Sequence, residues 1–343
     1  MINEAFKQKR AVRLKNKISV ISSAAVGGFE ERRGPLGEQF DFCDGSDRFG
    51  QKTWEIAESE MGRIALNTAL SKAHLSHGDI DLLVGGDLQN QCVATTVGLS
   101  DFGIPFLGVY GACSTCTESL LILSAILDGA DNMTYGGAVT SSHNAAAERQ
   151  FRTPIEYGAQ RSGSAQWTST AAGAFILKRG EEEGAPVITE YAVGKIVNGS
   201  TSDGSNMGAA MSFAAADSII SYIEESGSSL KDTDAIVTGD LGKVGSGILR
   251  DILSKRIPGA EKLHQDCGLL LYNSEIQDTH SGASGCGTSA SVLSAHFLPL
   301  LKEGRLRRIL FLSTGALMSP SSLLQGESIY GIAPLIKIEA PGL

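Results

Sequence analysis

The feature that most restricts what this 343-residue chain can fold into is that its second half repeats its first. Ile80 to Leu88, IDLLVGGDL, returns as Thr233 to Leu241, TDAIVTGDL, with Asp, Val, Gly, Asp and Leu shared in order. Met61-Gly62 returns as Met207-Gly208, and Gly137-Ala138 as Gly315-Ala316. Ser114 to Ala125, STCTESLLILSA, returns as Ser284 to Ala295, SGCGTSASVLSA. The four matches keep one order and their offsets rise along the chain, as loop insertions would make them. The charged stretch Arg179 to Pro186 suits a linker between the copies. The chain thus reads as an internal duplication, residues 1–180 and 181–343. Its two central helices, starting near Ser114 and Ser284, are expected to pack together.

Strand and helix signals alternate within each copy, which predicts an α/β protein with mostly parallel sheets. Ile18 to Ala25 reads as the first strand, Gly27 to Gly50 as a long excursion, and Thr53 to Ala73 as a helix capped by Thr53. Ile80 to Leu88, Met133 to Thr140 and Thr170 to Lys178 read as strands, and Val93 to Ser100 as a short helix or turn. Ile104 to Tyr110 reads as a buried strand. The run from Ser114 is apolar or small on both faces and carries only Glu118 and Asp128 as charges, which predicts a buried helix. Ser141 to Thr168, with His143, Arg149, Arg152 and Arg161, reads as a surface excursion.

A net charge of −9 leaves no basic footprint and argues against nucleic acid as a partner. The basic arm from Lys7 to Lys17 lacks the apolar core of a signal peptide. It reads as a solvated tail, with anionic lipid or a partner protein as the alternative. No run reaches the length expected of a membrane span. Six scattered cysteines fit reduced thiols in a cytoplasmic-type compartment. Cys113 and Cys116 form a lone CxxC; without a second pair, no metal is expected, and no cofactor either. Cys116 reads as a small core residue, with a redox dithiol as the alternative.

Cys113 falls where the strand ends and the buried helix begins. Unpaired N–H groups and the helix dipole favour negative charge there. That field has two uses: lowering the thiol pKa to make a nucleophile, or holding an anionic ligand.

A duplicated α/β chain with a cysteine at this place resembles the thiolase superfamily over nearly its whole length. It resembles the stage V sporulation protein AD family more closely still. That likeness rests on VYGACSTCTESL (Val109 to Leu120), SSHNAAAERQFRTPIEYG (Ser141 to Gly158), MGAAMSFAAADSI (Met207 to Ile219), THSGASGCG (Thr279 to Gly287) and STGALMSPSSLLQGESIYGI (Ser313 to Ile332). The resemblance implies a five-layered αβαβα fold with two mixed sheets and buried central helices. It implies binding of dipicolinic acid (pyridine-2,6-dicarboxylate), alone or with calcium. It also implies membrane proteins of the same operon as partners, at the forespore membrane, in sporulation and germination. A homodimer is compatible with it.

The acyl-transfer machinery of the superfamily is incomplete. Type III ketoacyl synthases place a His after the strand matching Ala235 to Gly239, where this chain has Gly239-Asp240. The thiolase pattern H-P-x-G-A-S-G is approximated, one residue short, from His280 to Gly285. The second thiolase cysteine is matched by Ser313, too weak an acid to replace a thiol. The expectation is a non-enzymatic dipicolinate site formed by Cys113, His143, Asn144, His280 and Ser313, with an active condensing enzyme using Cys113 as the alternative. Arg149 and Arg152 read equally well as carboxylate clamps or surface charges.

Overall fold

In the computed structural model, which describes residues 9–151, 161–227 and 230–343, ten strands follow one hydrogen-bonded path. They are β1 (Ala11–Gly27), β2 (Leu82–Gly86), β3 (Phe106–Gly108), β4 (Tyr135–Ser142), β5 (Ala171–Arg179), β6 (Val187–Ala192), β7 (Ala235–Thr238), β8 (His264–Asp266), β9 (Arg308–Leu312) and β10 (Leu335–Glu339). Their order is β3-β2-β4-β5-β1-β6-β10-β9-β7-β8, with a two-residue strand, Phe42–Cys43, beside β1. Read outward from the middle, both halves follow one plan. In the first, β2 is parallel to β3 and β4, β4 is antiparallel to β5, and β5 to β1. In the second, β7 is parallel to β8 and β9, β9 is antiparallel to β10, and β10 to β6. These are the two five-stranded mixed sheets of the duplication. The 17-residue β1 joins them: Ser19 to Gly27 pairs with β5, and Ala11 to Ser19 with β6.

The principal helices are α1 (Trp54–Ala73), α2 (Thr115–Gly129), α3 (Met207–Ser226), α4 (Gly242–Arg256) and α5 (Cys286–Val292), the last continuing through Phe297 to Lys302. Thr53 caps α1 by accepting the Ile56 N–H, and Asn206 caps α3 through the Ala209 N–H. α1 covers the outer face of the first sheet; α3, with α4 beside it, covers the second. α2 and α5 lie between the sheets, which completes the αβαβα layering. Leu120, Leu123 and Leu127 of α2 are fully buried, as is every residue of α5. Small residues let α5 lie backbone-to-backbone on β5. A Cβ at Gly287 would stand 2.0 Å from the Ala171 carbonyl oxygen, and one at Gly173 only 2.6 Å from Ala290.

Four expectations change. Among the described residues, Ala112–Gly129 is long and apolar enough to cross a membrane, but most of that length is buried in the core. β3 is an edge strand with all three residues exposed, because it pairs on one side only, with β2. The basic arm is not a solvated tail at Arg10, while Arg13 stays largely exposed on β1. Arg10 forms an ion pair with Asp217 on α3 at 2.7 Å, and Arg13 with Glu190 on β6 at 3.1 Å. The segment from Ser141 starts inside the protein: Ser141, Ser142 and His143 are buried, and Asn144–Phe151 is a helix. Lys7 and Arg152 lie outside the described residues.

Candidate functional site

After β3 the chain turns through Ala112, whose φ of +54° is in the left-handed region, and sets Cys113 just ahead of α2. The thiol meets the second half there. Ser284 Oγ lies 3.9 Å from Cys113 Sγ and donates to Asp240 Oδ2 at 3.2 Å. Asp240 Oδ2 also accepts the Gly285 N–H at 2.9 Å, and Oδ1 accepts the Thr314 hydroxyl at 3.0 Å. Among the described residues, no cation bonds to this carboxyl group. Burial therefore raises its pKa to about 7, against the lowering effect of its hydrogen bonds.

This overturns the expectation of a lowered thiol pKa. Burial and the neighbouring Asp240 push Cys113 well above the usual thiol range. The helix end acts over a short range and is outweighed by desolvation together with a like-charged neighbour. Cys116 is likewise buried and pushed up to about 12, and all six cysteines are free thiols, so the CxxC is not a disulfide.

Cys113 opens on a cavity of about 440 Å³. The first half contributes Leu88, Tyr110, Ala112, Ala147, Glu148 and Phe151 to its wall; the second contributes Met207, Ser284 and Ala316 to Met318. Between them the segment from Arg161 to Thr168 supplies Arg161, Ser162, Ala165 and Thr168. This segment crosses to the second half by pairing Trp167–Thr168 with Ala283–Ser284. One wall comes from the stretch that follows Ser313. It makes a hairpin, Gly315–Leu317 with Tyr330–Ile332, around a short helix, Pro320–Leu324, that puts Leu323 against the cavity.

Of the five expected site residues, only Cys113 lines this cavity. His143 and Asn144 line a separate one of about 60 Å³, with Glu30, Glu31, Asp47 and Trp54. His143 Nε2 donates to the Asp47 carbonyl at 2.9 Å; the ring packs on Trp54, and burial lowers its pKa. Asn144 donates from Nδ2 to the Thr168 carbonyl at 3.0 Å. Ser313 is buried behind the cavity wall, its hydroxyl accepting from Thr117 Oγ1 at 2.8 Å. His280 sits in a turn with φ of +49°, 2.9 Å from Asp278. It stands one residue removed from the site, since Asp278 also holds Arg161 at 3.2 Å. Arg149 pairs with Glu55. Sequence reasoning missed Asp240 and Arg161 as site residues. Asp240 was visible as the repeat of Asp87, whereas nothing in the spacing of the Ser141 to Thr168 segment singles out Arg161.

Fold and site together define a thiolase-like protein that keeps the cysteine heading its first central helix but sets a carboxyl group, not an imidazole, beside it. Solved condensing enzymes share the fold. OleA of Xanthomonas campestris, with cerulenin bound, superposes with a TM-score of 0.60 at 14% identity, covering 96% of this chain and 98% of that one. 3-Oxoacyl-(acyl carrier protein) synthase III of Xanthomonas oryzae pv. oryzae gives 0.59 at 15%, covering 95% and 100%. The profile of the stage V sporulation protein AD family matches residues 8–339. Stage V sporulation protein AD of Bacillus subtilis (strain 168) is 42% identical over 325 residues, 95% of each chain. The chain belongs to the stage V sporulation protein AD family, a family of sporulation proteins.

Proposed function

We propose that this chain binds dipicolinate in the cavity headed by Cys113 and does not transform it. The observation that carries this reading is a roomy cavity headed by a buried thiol that has Ser284 and Asp240, not an imidazole, on its inner side. A ketoacyl-synthase-like reaction needs a thiolate and an acid–base group tuned near neutrality. Asp240 titrates near neutrality but opposes thiolate formation, because its own charge faces the sulfur. A flat aromatic diacid suits walls that are mostly apolar with a few polar groups. In this reading the protein delivers dipicolinate, with calcium, to membrane proteins of its own operon at the forespore membrane. It attaches there through those partners, because its net charge of −9 opposes direct binding to anionic lipid.

Calorimetry with dipicolinate tests the site. Binding should be lost in Leu317→Trp, which fills the cavity, and should persist in His143→Ala, which alters the other one. Equal affinity in wild type and Leu317→Trp, at matched melting temperatures, would place the ligand elsewhere. A condensing-enzyme reading is favoured by the retained cysteine and by the fold of the solved condensing enzymes. Mass spectrometry after incubation with acyl-coenzyme A separates the two: an acyl group on Cys113 that turns over on a second thioester supports the enzyme.

A further inference from the structure

We infer that Arg161 is the carboxylate-binding and specificity-determining residue of the Cys113 cavity. This rests on the reading that the cavity takes dipicolinate, and assigns which side chain recognises it. Among the described residues lining the cavity, Arg161 is the only cation. Its guanidinium carbon lies 4.8 Å from the centre of the Trp167 ring, and Nη2 is 3.2 Å from Asp278 Oδ2 and donates to the Asp278 carbonyl. Stacking and the ion pair hold the guanidinium plane while using only part of its donor set. Nη1 is buried and, among the described residues, has no hydrogen-bond partner. A charged donor left unmet inside a protein is costly, and a planar guanidinium is matched in shape by a carboxylate, which two parallel N–H groups can grip.

The surroundings narrow the ligand class. Glu148, the one acid among the described lining residues, accepts the Thr168 hydroxyl at 3.2 Å. Leu88, Phe151, Leu317 and Met318 supply apolar wall. The class that fits is a carboxylate carried on a flat apolar ring, with the carboxylate on Arg161 and the ring against these side chains. Asp278 is exposed and also pairs with His280 at 2.9 Å, so the arginine is anchored from outside and needs no ligand to keep its place.

The test is calorimetry of the full chain with dipicolinate, with picolinate, and with pyridine-2,6-dimethanol, which keeps the ring but has no charge. Arg161→Gln should weaken dipicolinate binding about ten- to a hundredfold, as loss of hydrogen bonds to a charged group predicts. It should also remove the preference for dipicolinate over the dimethanol. Arg161→Lys should fall between, because it keeps the charge and loses the fork. Wild-type affinity should weaken as salt is raised, and Arg161→Gln should lose that dependence. If Arg161→Gln does not fold, the lysine variant and the salt series decide. Wild-type binding that is tight and unchanged in both variants overturns this inference and leaves the dipicolinate reading standing. No dipicolinate binding by wild type overturns both.

Discussion

Asp87 and Asp240 occupy the same place in the two copies of the repeat, each just after the second strand of its half, and they do different work. Both are buried, and burial raises both pKa values. Asp87 is satisfied within its own half: Oδ1 accepts the Gln89 N–H at 2.7 Å, and Oδ2 accepts the Thr95 N–H at 2.7 Å and the Thr95 hydroxyl at 2.6 Å. Its place is structural, closing the turn after β2. Asp240 is also bonded within its own half, to the head of α5 and to Thr314, but it faces Cys113 of the other half. The duplication thus produced two equivalent carboxyl groups, and the second faces the thiol that heads the cavity. The cysteine heads α2 in the first half, whereas the equivalent of Cys113 by the repeat is Ala283, fully buried.

The largest expected effect comes from replacing each aspartate by asparagine. In Asp87→Asn the amide NH₂ must face either the Gln89 N–H or the Thr95 N–H, leaving a buried donor without an acceptor. The cost should be about 1–3 kcal/mol, read by urea denaturation. In Asp240→Asn the amide oxygen can accept from Gly285 while the NH₂ donates to Thr314 Oγ1, a hydroxyl that can rotate to receive it. That change should be close to neutral at low pH, where Asp240 is itself protonated in the folded state. Equal losses at both positions would remove the distinction.

A second, intermediate effect concerns pH. Unfolded aspartates and glutamates titrate near pH 4. In the folded protein burial raises Asp266 to about 6, Asp240 and Glu31 to about 7, and Glu58 to about 8. Between about pH 4 and those values the folded state holds more protons than the unfolded state. Stability should therefore fall as pH rises through this window and level off above it. Asp240→Asn should flatten the fall between about pH 4 and 7; a parallel curve would mean that Asp240 titrates normally.

The smallest effect is in thiol reactivity. Cys113 should alkylate slowly near neutral pH and faster as pH rises, and Asp240→Asn should raise the rate a few-fold by removing the opposing charge. Cys286, whose thiol donates to the Ser141 carbonyl at 3.0 Å inside α5, should stay silent in both proteins until they unfold. Mass-spectrometric mapping of the labelled cysteines distinguishes these outcomes. Fast labelling of Cys113 at neutral pH would restore the nucleophile reading.

Much of the architecture was legible in the chain. The repeat, the helix at Thr53, the buried helix from Ser114 and the strand at Met133 to Thr140 rest on periodicity, capping and local propensity, which act within a few residues of each other. The depth of β3 was misjudged because an apolar run reads alike in the middle and at the edge of a sheet, and only the neighbours tell them apart. The place of Cys113 at the head of α2 was likewise set by local sequence. Its protonation was not, because the group that opposes the thiolate, Asp240, is far away in sequence and arrives through the packing of one half on the other. The same holds for the remaining site residues. His143, Asn144, His280 and Ser313 were grouped by motif, but the fold turns the first pair toward Asp47 and Trp54, leaves His280 behind Asp278 and puts Ser313 behind Thr117. Arg161 reached the cavity instead, carried there by a segment that pairs with the opposite half. A sequence determines which elements form, since that is decided by contacts within a turn or two. Where a loop side chain points is decided by partners that can lie far along the chain, 96 residues for His143 and 117 for Arg161, and only the assembled tertiary structure brings them into reach.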